Sequence, residues 1–143
     1  MGKCAFAGVA VFAALLLIAS IAQAGVVAVV SSKNPVSSLT KDQLADIYLG
    51  NAKNFPGGGP ATPVDLPESA TESQDFHKNV TGKSGTQFKA YWAKMVFSGR
   101  GVPPKEAASA VEVKSLIAGN PNMVGYIDKS AVDSSVKVVF EAN

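Results

Sequence analysis

Apolar residues fall along this chain in distinct rhythms, and each rhythm predicts an element. From Val9 to Ile21 they are almost uninterrupted. Val26-Val27-Ala28-Val29-Val30 is a second, shorter run rich in β-branched residues, which predicts a strand covered on both faces. Ser31-Ser32-Lys33-Asn34-Pro35 supplies the turn out of it. The pattern then changes period. Leu44, Ile47 and Tyr48 recur at i, i+3, i+4, giving a helix with one apolar face. Thr40 and Gln43 stand at capping-box spacing, Leu39 and Leu44 at staple spacing, and Gly50 fits the left-handed residue that ends the helix. Phe55 to Pro60 is rich in Gly and Pro and reads as a loop. Thr62-Pro63-Val64-Asp65-Leu66 reads as a short second strand, its proline at an edge or at the strand start. Strand, helix, strand in that order predicts a right-handed crossover.

A second helix is expected from about residue 69 to residue 80, closed by Gly82. Ser69 and Glu72 stand at capping-box spacing, with Phe76 and Val80 facing the core. Ser84 and Gln87 open a third, in which Phe88, Tyr91, Trp92 and Met95 form an aromatic face at i, i+3, i+4, i+7 before Ser98-Gly99-Arg100-Gly101. Ser109 and Glu112 open a fourth that carries Val113, Leu116 and Ile117 and stops at Gly119-Asn120-Pro121. Met123 to Ile127 and Val136 to Phe140 read as the closing strands. No internal repeat or low-complexity linker interrupts the order, so one domain is the economical count.

The first apolar run has the form of a secretory signal peptide. Lys3 is its basic start, Val9 to Ile21 its apolar centre, and Ala22-Gln23-Ala24 an A-x-A cleavage site. Residues 1–24 are therefore expected to be removed, leaving 25–143 as the working domain, periplasmic or secreted. The rival reading is an uncleaved anchor, since Ala5 to Ala22 approaches the ~18 residues of a spanning candidate. Cleavage would remove Cys4, the single cysteine, so disulfide, zinc-thiolate and redox-thiol chemistry drop out and stability must come from the core. It would also remove Lys3, taking 13 basic residues to 12 against 11 acidic. With so small an excess, nucleic acid and acidic membrane surfaces are poor partners.

The segment Leu39 to Gly58, with Ile47-Tyr48-Leu49-Gly50 ahead of a Phe-Pro-Gly turn, and the ending Gly119-Asn120-Pro121-Asn122-Met123-Val124-Gly125-Tyr126 together resemble the phosphate ABC transporter substrate-binding proteins. The resemblance covers nearly all of the chain after residue 24, but only about half of a two-lobed receptor of that type. It implies an α/β fold: a single-lobe domain of the type II periplasmic-binding-protein kind, with a mixed sheet of about four to five strands flanked by helices. It further implies no catalytic activity, no cofactor and no metal, and an exported solute-binding role for phosphate or a similar oxyanion. A transporter permease, another envelope protein or a second copy is the expected partner. The alternative is a ligand-free envelope interaction or sensory module that kept the receptor lobe.

In such receptors the resemblance implies an arginine after a strand and a Ser-Gly-Thr turn at the next helix start. The matching residues here are Asp65-Leu66-Pro67-Glu68-Ser69-Ala70-Thr71. Ser69 and Thr71 match, Ala70 replaces the glycine, and Asp65 or its neighbours stand in place of the arginine. The general chemistry is a helix start presenting free N–H groups and its positive dipole end to an anion. Ser69, Ala70 and Thr71 are therefore the candidate ligand residues, with Ser31 and Ser32 at the end of the first strand. Against this, Asp65, Glu68 and Glu72 crowd the turn, and each like-charge pair would cost on the order of 1 kcal/mol. Ser69 and Glu72 capping their own helix is the competing reading.

Other chemistry is thinly signalled. Gly82-Lys83-Ser84-Gly85-Thr86 resembles the end of a P-loop, but His77 stands where that motif needs its first glycine. It reads as a helix cap whose Lys83 could meet an anion. His77, the single histidine, is expected on a helix surface or partly buried, with no nucleophile elbow near it. The acidic residues show no calcium-loop or metal-hydrolase spacing.

Overall fold

The computed structural model describes residues 25–142. The signal-peptide expectation for 1–24 lies outside them. Among the described residues no helix is long and apolar enough to cross a membrane. The elements run β1 (Val26–Ser31), α1 (Lys41–Tyr48), β2 (Thr62–Asp65), α2 (Thr71–Phe76), α3 (Gly85–Phe97), β3 (Lys105–Glu106), α4 (Ala110–Gly119), β4 (Met123–Asp128) and β5 (Val136–Ala142). A π-helical turn, His77–Thr81, extends α2, and a 3-10 turn, Lys129–Ala131, joins β4 to β5. This is the expected α/β lobe with a mixed five-stranded sheet.

The sheet order is β3-β2-β4-β1-β5. β1 is buried along its whole length, as its β-branched run predicts. Its neighbours are β4 and β5, both antiparallel to it, whereas β2 runs parallel to β4. β1 and β2 are thus neither adjacent nor parallel, and the expected right-handed crossover is corrected: the handedness rule applies only between parallel strands. Pro63 sits one residue into β2 and pairs with Val124, while β3 joins only at Val64 and Asp65, so no neighbour on that side needs the missing N–H. The two-residue β3 carries no periodicity long enough to read from sequence.

Alternate residues of β4 face opposite layers. Gly125 faces α4: a Cβ there would lie 2.8 Å from Val113 Cγ1. Tyr126 faces the other way, stacked on Phe76 of α2 with ring centroids 4.1 Å apart, and Phe76 in turn lies 4.7 Å from Tyr48 of α1. The sheet is therefore covered on both sides. α1 has its full capping box between Thr40 and Gln43, and Gly50 takes a φ of +76° just past its end. α3 packs outside α1, with Trp92 Nε1 donating to Tyr48 O at 3.0 Å.

Candidate functional site

The strand-to-helix turn after β2 carries the main candidate residues. Asp65 ends β2, Ala70 N–H bonds back to Pro67 O at 2.9 Å, and α2 begins with Gln74 N–H donating to Ala70 O at 3.1 Å. The N-cap residue is Ala70, which has no side chain able to accept a hydrogen bond. The expected Ser69–Glu72 capping box is therefore absent, and Ser69 and Thr71 are both exposed. The first-turn N–H groups of Thr71, Glu72 and Ser73 meet no protein acceptor among the described residues.

The crowding expected from three carboxylates is relieved by geometry. Glu68 turns toward the start of α3, accepting from Thr86 Oγ1 at 2.9 Å and pairing with Lys89 at 3.2 Å. The Thr86 hydrogen bond, then Lys89, holds it below the ordinary carboxylate range. Asp65 turns inward. Its carboxylate accepts from Leu66 N–H at 2.9 Å and from the Tyr126 hydroxyl, and His77 Nε2 donates to it at 3.0 and 3.1 Å. Tyr126 Oη also accepts from Leu66 N–H at 3.0 Å. Only Glu72 remains beside the open helix start, in the first turn where the dipole favours a negative charge.

His77 is 1% exposed, not on a surface. Its ring lies 4.0 Å from that of Phe88 and its Nδ1 lies 3.3 Å from Thr81 Oγ1. Burial, followed by the nearby Asp65 charge, pushes the Tyr126 hydroxyl far above its ordinary range, and burial does the same to Tyr48, whose hydroxyl donates to Val64 O at 2.6 Å. The cluster ties the end of β2 to α2 and β4. Asp65 and His77 lie 12 residues apart and Asp65 and Tyr126 lie 61 apart, so no local spacing announced it.

A surface hollow of about 450 Å3 opens beside the turn, lined by Glu68, Gln74, Lys78, Lys83, Ser84 and Thr86 among others. Neither lysine has a carboxylate within ion-pair distance among the described residues, and Lys83 Nζ rests 5.3 Å over the Tyr91 ring. Ser31 and Ser32 lie elsewhere. Val30 and Pro63 flank Val124 on one rung of the sheet; from there Ser31 continues in one direction and Asp65 in the other, about 10 Å apart along the strands and two strands across. Ser31 is buried, its Oγ accepting from Lys33 N–H at 3.2 Å, and Ser32 N–H donates to Ser135 O at 3.2 Å. The structure brings Ser69, Ala70 and Thr71 together and leaves Ser31 and Ser32 apart from them.

This architecture matches solved receptors. Over 81% of its length the chain superposes, at a TM-score of 0.67 and 29% identity, on a Clostridium perfringens protein assigned as a phosphate ABC transporter substrate-binding protein and solved with bound phosphate. An ABC-type phosphate transport receptor from Vibrio cholerae gives 0.64 and 25% over the same share. The fold is that of one lobe of a phosphate ABC transporter substrate-binding protein. PstS from Borrelia burgdorferi shares the fold at 14% identity and a TM-score of 0.60, over 82% of this chain and 47% of its own. The lobe spans 44% of the C. perfringens chain and 45% of the V. cholerae chain. These structures are substrate-binding receptors, not enzymes, in agreement with the non-catalytic expectation. No protein-family model matches the chain.

Proposed function

We propose that this chain is an exported oxyanion-binding component related to phosphate transport receptors. In this reading residues 1–24 direct export and are removed, and 25–143 work in the periplasm or outside the cell. Ser69 and Thr71, with the amides at the start of α2, hold inorganic phosphate or a similar oxyanion. The observation that carries the reading is the uncapped first turn of α2, where three N–H groups find no protein acceptor among the described residues and two of the three neighbouring carboxylates are engaged elsewhere. Lys78 and Lys83 add positive charge nearby. One lobe offers one wall, so affinity is weak until a transporter subunit, an envelope protein or a second copy supplies the other. Calorimetric titration of the protein, purified as the cell makes it, with phosphate, sulfate and Mg2+ tests this. Heat with millimolar phosphate or sulfate supports the reading; no heat with either anion, or heat with Mg2+ alone, overturns it.

A second reading, a ligand-free envelope interaction module, is favoured by one observation: Asp65, at the position matching the receptors' arginine, is buried against His77 and Tyr126. The lobe thereby lacks that cation for an anion.

A further inference from the structure

Large apolar side chains stand exposed at four positions among the described residues, and three of them gather at one end of α3. Phe97 is 96% exposed, Val102 84% and Val96 50%. A soluble lobe normally covers such side chains, and a contiguous exposed apolar patch marks an interaction site. Here they border two adjoining hollows that share Trp92 and Pro103. One, of about 410 Å3, includes Ala93, Val96 and Phe97; the other, of about 340 Å3, includes Val102 and Gly101. Neither Lys78 nor Lys83 of the phosphate proposal lines these hollows.

The charge lining them is of one sign. Lys53 lines the second hollow and Lys89 the first, and no carboxylate lines either. Lys89 is paired with Glu68, and Glu106 lines the next hollow, so among the described residues the unpaired excess rests on Lys53, Lys94 and Arg100. α3 itself carries Lys89 and Lys94 and no acidic residue, and Arg100 follows it. The chain as a whole is nearly neutral, so this is a local asymmetry. A second copy meeting the patch across a two-fold axis would set lysine against lysine, which disfavours it. We propose that this face docks a protein segment of opposite character: acidic, with bulky apolar anchors that enter the two hollows beside Phe97 and Val102. Apolar anchors in a desolvated centre give the affinity, and the surrounding charges give the steering and the choice of partner.

The test titrates the protein, purified as the cell makes it, with a panel of synthetic helical peptides carrying Leu and Phe at i, i+3, i+4 and i+7 and Asp or Glu elsewhere. Twins with Lys in place of the acids, and vesicles of anionic lipid, form the other arms. Expected are amide shifts confined to Ala93, Val96, Phe97 and Val102, affinity for the acidic peptides at least tenfold above their twins, and a tenfold loss when Phe97→Ser and Val102→Ser are combined. Both side chains are exposed, so that variant keeps the fold, as circular dichroism will confirm. Failure of every acidic peptide, equal binding of the twins, binding to vesicles alone, or a concentration-dependent dimer through Phe97 overturns the proposal.

Discussion

Asp65 reaches the interior at the end of β2, where a carboxylate survives only if its oxygens are matched. Three donors do this: the His77 ring, the Tyr126 hydroxyl and the Leu66 amide. Removing one partner strands the others, so Asp65→Ala is expected to lower stability by about 3 kcal/mol. Replacing the pair with Asp65→Leu and His77→Leu should recover much of that loss; chemical denaturation measures both. The same geometry sets an alkaline limit. Tyr126 and Tyr48 titrate far above their ordinary range of about 10, so the folded state keeps protons that the unfolded state releases. Their contribution is complete below pH ~10 and shrinks as pH rises beyond it. Asp133 is held well below its ordinary range by Ser135 and then Lys114, and Glu68 is lowered by Thr86 and Lys89. Both contribute above pH ~4, and that contribution is lost on further acidification. A melting-temperature profile should therefore fall at both ends, the alkaline fall shrinking in Tyr126→Phe relative to its own midpoint.

At the scale of elements, two glycines set how closely pieces approach. A Cβ on Gly125 would lie 2.8 Å from Val113 Cγ1 and 3.3 Å from Ile117 Cδ1, so α4 must back off β4. Gly125→Ala is expected to cost about 1–3 kcal/mol by overpacking. Gly50 combines a φ of +76° with a Cβ position 2.8 Å from the Trp92 ring, and Gly50→Ala should cost at least ~1 kcal/mol. Thermal melts of each variant provide the check. These elements were largely legible in the sequence, because caps and periodicity are local: Thr40 with Gln43, Ser84 with Gln87, and the apolar faces of α1 and α3 all form as read. α2 was legible in extent but not at its start. The Ser69-x-x-Glu72 spacing suggests a box, yet the chain turns one residue later and makes Ala70 the cap. Strand partners were illegible for a similar reason: a β-branched run states burial, not the direction of its neighbour, and β1 proved antiparallel to β4. The buried His77 was hidden because its partners arrive from β2 and β4, far away in sequence.

As a whole molecule the lobe has a closed core and an exposed candidate site. Val29, Val30, Val64, Val113, Ile117, Val124 and Tyr126 are fully buried and close the sheet on both faces, while Ser69 and Thr71 at the α2 start are exposed among the described residues. It spans less than half of each solved receptor it matches. If the proposed site holds phosphate, a lone lobe is expected to bind it weakly, and nanomolar binding of phosphate by a proven monomer, judged by sedimentation alongside calorimetry, would contradict that. The most direct measurement is amide-resolved NMR of the protein during a phosphate titration. Millimolar binding is expected, with the largest shifts at Thr71, Glu72 and Ser73 and little change at Ser31 or Ser32. Shifts confined to any other part of the lobe, or none at all, would contradict it.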